Sequence, residues 1–333
     1  MRPFIYERVS DLDAAHAHGE DGAKGSRAFV AGGTTLFDLM KLDVMQPEAV
    51  IDINPLSNDL GRIQVSDNGL RLGALVRMAE AADDTRIKRD YPVLAQSLTL
   101  AASPQIRNMA SLSGNVLQRT RCHYFRDTSW ANCNKRNPGS GCAALDGMNR
   151  IHAVLGASDK CIATYPGDFA QALIALDAAI EIQGSIGKRT LAFENLHRAP
   201  GETPHIETML EPGDLITAFL IPTTPAAKRS AYVKIRDRES YEFALASAAV
   251  ALDLSNGTVR EARIALGGVA TKPWRARDAE KALIGNTLDE ASARRAGEIA
   301  FQGASPREHN AYKIALGRET VARALLHVAQ MEI

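Results

Sequence analysis

The segment AGGTTLFDLMK, residues 31–41, sets two glycines and two threonines between an apolar run, Arg27 to Ala31, and a helical pattern, LFDLMKL. Paired glycines let backbone N–H groups approach an anion closely. The helix that follows offers its own unpaired N-terminal amides to the same charge. The hydroxyls of Thr34 and Thr35 add two more donors. No Gly-Lys-Ser/Thr follows, so a Walker loop is excluded. Taken alone, the segment reads equally as a phosphate cradle or as a tight turn.

Outward from it the pattern is mixed. AVIDIN (49–54) reads as a strand, and residues 63–65 and 70–75 read as a hairpin around Asp67-Asn68-Gly69. Helical periodicity covers 77–83, 92–101 and 168–176, and strands are expected at 178–183 and 214–222. Composition changes after Pro222-Thr223-Thr224-Pro225. YVKIR, LASAAVALDL and VREARIAL then read as strands, the last two joined across Asn256-Gly257. From Trp274 onward three helical patterns follow, near 275–284, 288–302 and 309–331. Strands followed by helices indicate an α+β fold. The main boundary falls near 224, with a weaker division near 58.

Composition excludes several classes. Lys plus Arg and Asp plus Glu are 39 each among 333 residues, so no net charge points to nucleic acid or a membrane surface. No apolar run approaches the roughly 18 residues of a membrane span. The histidines are dispersed, and neither HExxH nor GxSxG occurs. His152 and His205 read as structural, and nothing here activates water.

A second polar motif, Ser103 to Asn115 (SPQIRNMASLSGN), offers small residues, Gly114 and the amide of Asn115 as a surface for a diphosphate or sugar. On residue types alone it reads as a plain loop. GSGCAA (139–144) formally satisfies GxGxxA, but NKRNP precedes it instead of the apolar strand that a Rossmann turn requires. All four cysteines, Cys122, Cys133, Cys142 and Cys161, lie in or beside a polar insert that begins QRTRCHYFRDTSWANCNKRNPGSGC at Gln118. Four thiolates close a tetrahedral metal or iron–sulfur site. The gaps match neither a zinc ribbon nor a compact ferredoxin run. Arg119, Arg121, Arg126, Lys135 and Arg136 against one Asp127 favour an anionic iron–sulfur core. Zinc and two disulfides stay open, and His123 reads as non-ligating.

Together these motifs resemble the FAD-binding subunits of the xanthine dehydrogenase and molybdenum hydroxylase family, over essentially the whole chain. AGGTTLFDLMK and SPQIRNMASLSGN are similar to the family's two diphosphate loops, and ALGGVATKPWRA (265–276) to its C-terminal signature. The insert resembles that of periplasmic aldehyde oxidoreductase flavin subunits, which carry an extra 4Fe–4S cluster; benzoyl-CoA reductase-like flavin subunits carry a comparable one. The resemblance implies a two-lobed FAD-binding fold of the vanillyl-alcohol-oxidase/PCMH type over 1–223, with lobes of about 1–58 and 59–223 and the insert at about 118–162. A CO-dehydrogenase-flavoprotein-like α+β domain would fill 224–333. It implies FAD contacts from Ala31, Gly32, Gly33, Thr34, Thr35, Leu36, Ser111, Gly114, Asn115, Leu117 and Gln118. Asp168 would hold ribityl or ribose hydroxyls, or cap the helix that follows. Ile216 would give a backbone contact. Lys234 would stand near the isoalloxazine as a cation favouring its reduced, anionic form. Cys122, Cys133, Cys142 and Cys161 would hold the 4Fe–4S cluster.

The implied role is electron transfer in a molybdenum aldehyde oxidoreductase. A large molybdopterin subunit would oxidise aldehyde to carboxylate. A small subunit with two 2Fe–2S clusters would pass electrons to this FAD, and an external acceptor would receive them. No nucleic acid and no membrane insertion are expected. The alternatives are the flavin subunit of a related hydroxylase or CoA-thioester reductase, or a non-redox binding protein with a zinc-stapled loop. The opening MRPFIYERVSDLDAA has no apolar signal core. A periplasmic location would therefore need export with a signal-bearing partner, and the cytoplasm is the alternative.

Overall fold

Three sheets organise the chain in a computed structural model that describes residues 1–20, 27–184 and 187–333. In the first, β1 (Ile5–Arg8), β2 (Arg27–Val30) and β3 (Ala49–Asp52) run parallel in the order β1-β3-β2. β3, AVID, is buried at every position, as a central parallel strand covered on both faces must be. The second sheet is antiparallel: β4 (Ile63–Ser66), β5 (Gly69–Gly73), β6 (Ala179–Gly184), β7 (Gly187–Ala192) and β8 (Leu215–Pro222), ordered β4-β5-β8-β6-β7. The third, also antiparallel, runs β12-β11-β10-β9 from β9 (Ser230–Ile235), β10 (Ala246–Ser255), β11 (Thr258–Gly267) and β12 (Trp274–Arg275).

β10 shows why these pieces stack. Its side chains alternate between two faces. Ala249 and Ala251, with Ala265 of β11, join a core that includes helices Pro92–Thr99 and Phe169–Ala175. Small alanines there leave room for Leu94, Leu98, Phe169 and Leu173 on those helices. Ala248, Val250 and Leu252 point the other way. They pack with Ile264 under helices Arg277–Leu283, Glu290–Ala300 and Tyr312–Ala329. Asn256 (φ 50°) and Gly257 (φ 78°) make the turn with both residues at positive φ, as the Asn-Gly pair requires. The α+β class is the one expected. Among the described residues no helix is long and apolar enough to cross a membrane.

Two local expectations change. SPQIRNMASLSGN is not a plain loop. It forms helices Pro104–Met109 and Leu112–Val116, whose first turns are held by Ser103 Oγ accepting from Ile106 N (3.3 Å) and Ser111 Oγ accepting from Gly114 N (3.2 Å). Asp168 precedes helix Phe169–Ala175 but makes no side-chain cap bond, because its carboxylate is engaged elsewhere.

Candidate FAD cleft and cysteine cluster

The two polar motifs meet backbone to backbone. A Cβ added to Gly32 would lie 2.1 Å from the Met109 carbonyl oxygen and 2.9 Å from Ala110 Cα. Only glycine therefore allows this approach. A side-chain brace fixes it from behind. Asn54 Nδ2 donates to the Ala31 carbonyl (2.9 Å), while Arg77 donates to Asn54 Oδ1 (2.8 Å) and to the Met109 carbonyl (2.6 Å). Neither Asn54 nor Arg77 was expected from sequence. Each looks like an ordinary turn or surface residue until the fold sets them side by side.

Between these motifs and the C-terminal domain opens a cleft of about 740 Å³, within the roughly 300–1,000 Å³ typical of ligand sites. Of the residues expected to hold FAD, Thr34, Thr35, Gly114, Asn115, Gln118 and Asp168 line it. The backbone amides of Thr34 and Thr35 find no protein acceptor among the described residues. Thr35 stands at the N-cap position of helix Leu36–Lys41 without a side-chain cap bond, so its hydroxyl is also uncommitted. Asn115 is buried, and its Oδ1 has no partner among the described residues. Such an atom is costly unless a ligand donor reaches it. Free amides and hydroxyls for phosphate, with a buried acceptor beyond them, are a donor set that fits FAD.

The other expected residues lie behind this surface. The Ala31 carbonyl belongs to the brace, and Gly32 and Gly33 form the turn. Leu36 starts the helix and packs against a small core of Val30, Met40 and Val50. Ser111 Oγ is occupied by the Gly114 amide. Leu117 lines a separate small cavity with Lys135 and His197. Ile216 is a buried core residue of β8, at the irregularity where that strand pairs with β6. Lys234 lies beneath the cleft floor. Its Nζ donates to Asp168 Oδ2 (2.8 Å) and to the Leu100 carbonyl (3.0 Å), and its side chain is 1% exposed. Tyr232 donates to the other Asp168 oxygen at 2.7 Å, with Ser247 Oγ 2.8 Å from its hydroxyl. Burial pushes the Asp168 carboxyl up, against the Lys234 ammonium and the Tyr232 hydroxyl that pull it down. The expected cation is half of a buried ion pair.

Beyond the cleft wall the four cysteines share one apolar cluster with Phe125 and Ile162. Cys122, Cys133 and Cys161 are buried and Cys142 partly so; all four are free thiols. Cys133 and Cys142 sit opposite each other in an isolated antiparallel bridge. Backbone amides are aimed at the sulfurs. Phe125 and Tyr124 serve Cys122, Ala144, Ile162 and Leu145 serve Cys142, and Ala163 N lies 3.4 Å from Cys161 Sγ. Burial pushes the Cys122 thiol up to about 12 and Cys161 to about 11. Thiols so placed ionise only where a metal centre takes the charge. Among the described residues no group of three or more His, Cys, Asp or Glu is set to hold a single metal ion.

The basic residues of the insert are mostly spent, contrary to expectation. Arg119 and Lys135 pair with Glu207, Arg121 and Arg126 with Asp38, and Arg136 donates to backbone carbonyls including those of Tyr124 and Phe125. Their carboxylates come from outside the insert, where a linear reading does not look for them. Lys135 still favours the Cys161 thiolate electrostatically. His152 has a partner that the sequence does not show. Its Nε2 lies 3.1 Å from Cys122 Sγ, its Nδ1 is buried without a partner among the described residues, and both His152 and Cys122 line the same cleft. Burial lowers its pKa to about 4, so the ring is neutral. His205, by contrast, is exposed beside a groove next to Cys142.

Comparison with known proteins decides the family. Residues 2–224 match the FAD binding domain in molybdopterin dehydrogenase, and 230–328 match the CO dehydrogenase flavoprotein C-terminal domain. The chain belongs to the FAD-binding subunits of the molybdopterin dehydrogenases. Among its relatives is the Escherichia coli aldehyde oxidoreductase FAD-binding subunit PaoB, 46% identical over 329 residues, 98% of each chain. The glyceraldehyde dehydrogenase medium chain of Sulfolobus acidocaldarius is 26% identical, over 92% of this chain and 90% of its own. A solved structure of carbon monoxide dehydrogenase from Hydrogenophaga pseudoflava superimposes with a TM-score of 0.76 at 26% identity, over 99% of this chain and 98% of that one. This flavin subunit therefore binds FAD and is part of an oxidoreductase, and the two-lobed fold with its C-terminal domain is the one that the resemblance implied.

Proposed function

We propose that this flavin subunit carries one 4Fe–4S cluster on Cys122, Cys133, Cys142 and Cys161 beside its FAD, within a three-subunit molybdenum aldehyde oxidoreductase. The observation that carries the reading is a shared wall: Cys122 and His152 line the same cleft as Thr34, Thr35 and Asn115. The identity to an aldehyde oxidoreductase subunit supports the substrate class. In the complex a large molybdopterin subunit oxidises RCHO + H2O to RCOOH + 2H⁺ + 2e⁻. A small partner with two 2Fe–2S clusters relays the electrons, and an external acceptor receives them. When bound, FAD converts single-electron arrivals into one- or two-electron departures.

The chain's residues do the holding. Thr34, Thr35, Gly114, Asn115 and Gln118 bind and orient the dinucleotide. Gly32, Asn54 and Arg77 keep the two motifs in register. The Asp168–Lys234–Tyr232 group gives the cleft a rigid floor. Amides aimed at the sulfurs stabilise an anionic cluster and raise its potential. The assembled complex works in the periplasm.

The test is optical and chemical. Purified complex should show flavin bands over a broad iron–sulfur shoulder, both bleached by a small aldehyde. This chain expressed alone should retain about four iron and four sulfide per FAD. Flavin without iron would refute the cluster, and stoichiometric zinc in its place would assign the cysteines to a structural staple. A complex whose flavin stays oxidised under aldehyde would remove the substrate assignment.

A further inference from the structure

Arg121 and Arg126 share one carboxylate. Arg121 Nη1 donates to Asp38 Oδ2 at 3.2 Å, and Arg126 Nη2 reaches the same oxygen at 2.9 Å. Two guanidiniums on one carboxylate leave one positive charge uncompensated. They also leave unused donors: Arg121 Nε and Arg126 Nη1 are buried without a partner among the described residues. A buried, unpaired N–H of a cation is among the costlier arrangements in a protein.

No other carboxylate among the residues that line the cleft is free to supply that charge. The other carboxylates on its walls have cations of their own: Asp168 has Lys234, Asp237 has Arg150, and Glu242 has Arg238. Both arginines line the cleft together with Thr34 and Thr35, whose amides are also free. Asp38 sits one helical turn beyond those threonines, so both guanidiniums stand beside the phosphate-facing backbone. The Phe243 ring, which also lines the cleft, stacks on Arg121 with its centroid 5.0 Å from Cζ.

We infer that Arg121 and Arg126 form a diphosphate subsite, by which the cysteine insert itself grips the bound dinucleotide. The inference rests on the flavin reading of this cleft and adds a link to it: the segment that orders around the cysteines also supplies charge to the FAD site. Guanidinium suits the task because its fork meets two phosphate oxygens at once, and it keeps its proton when buried.

The experiment titrates flavin-free full-length protein, iron–sulfur content verified, with FAD and separately with riboflavin, which lacks the diphosphate. Arg121→Gln and Arg126→Gln should each weaken FAD binding on the order of ten- to a hundredfold, with riboflavin unchanged. The salt dependence of FAD binding should become shallower in both. Asp38→Asn breaks the same ion pairs but spares the arginines, so it should keep FAD affinity. If Asp38→Asn loses as much as the arginine variants, the triad is structural and the inference fails. Equal losses for FAD and riboflavin, or unchanged FAD binding in both folded arginine variants, would also overturn it while leaving the flavin reading intact. Wild-type protein that takes up no FAD would instead sink the flavin reading.

Discussion

Gly32→Ala tests the assembly of the FAD site at its tightest point. The added methyl would stand 2.1 Å from the Met109 oxygen, 2.6 Å from its carbonyl carbon and 2.9 Å from Ala110 Cα. All three are backbone atoms, so no side chain can rotate away. Restoring ordinary contact means separating the two motifs by about an ångström, on the scale of overpacking that costs about 1–3 kcal/mol. The shift also strains the Arg77 bond to the Met109 carbonyl, now 2.6 Å, a charged hydrogen bond worth about 1.5–3 kcal/mol in its own right. On the proposed reading FAD would span both motifs, so it would lose geometry at both ends. We expect a melting temperature lower by several degrees, and a flavin content in the purified protein well under half of wild type. Gly114→Ala is the control: its nearest new neighbour is Ser111 Oγ at 3.0 Å, a contact that a small side-chain adjustment relieves. Its melting temperature should fall much less. Full flavin occupancy and an unchanged FAD affinity in Gly32→Ala would refute the claim that backbone contact between the motifs builds the site.

Other residues make further expectations measurable. Lys234→Met leaves the buried Asp168 without its cation and should cost about 3–5 kcal/mol in urea unfolding; the double change with Asp168→Leu should recover most of the loss. Lys313 is fully buried, and its Nζ donates to the carbonyls of Ile151 (3.0 Å) and Gly268 (2.6 Å). Burial, then the nearby Arg150, lower its pKa from 10.5 to about 7. The unfolded chain therefore holds a proton that the folded chain has released. Stability from this group should rise as pH climbs from about 7 to 10.5 and stay level on either side of that window. Lys313→Met should flatten that rise, and pH-resolved melting curves would show it. If the cysteines hold the proposed cluster, His152→Gln should leave iron content intact but shift the cluster's midpoint potential, read by electron paramagnetic resonance; an unshifted potential would mean that the 3.1 Å contact to Cys122 has no electronic effect.

Much of this was legible wherever a signal is local. The Asn256-Gly257 turn, the alternation of β10 and the glycines of the first motif are written in a few adjacent residues. The FAD-binding α+β fold followed from such pieces once their combination pointed to a family. What stayed hidden depends on partners far along the chain. β1 reads IYER, and three of its four side chains are exposed, so no apolar pattern marks it. Helices Pro104–Met109 and Leu112–Val116 are too short and polar to show periodicity, and their caps make sense only after the chain bends. The insert's arginines looked like a field around the cysteines because Asp38 and Glu207 lie some 80 residues away in sequence. His152 could not be assigned to Cys122, 30 residues upstream, by any spacing rule.

The insert does more than carry four thiols. On one side its Val154 amide donates to the Val269 carbonyl (2.9 Å), Asn310 Nδ2 donates to the Ala153 carbonyl (3.2 Å), and Lys313 ties Ile151 to Gly268. On another side Lys135 and Arg119 clamp Glu207, whose carboxyl they hold below its ordinary value against the opposing effect of burial. Through Arg121 and Arg126 it reaches the helix behind the first motif. A polar segment with few apolar residues has little means of ordering itself, yet here it joins the FAD lobes, the C-terminal sheet and the final helix at one edge of the cleft. A centre that draws the four cysteines together would supply the missing ordering energy. The same centre would then hold the domains in the relation that the flavin cleft requires, so its structural and electronic roles need not be separate.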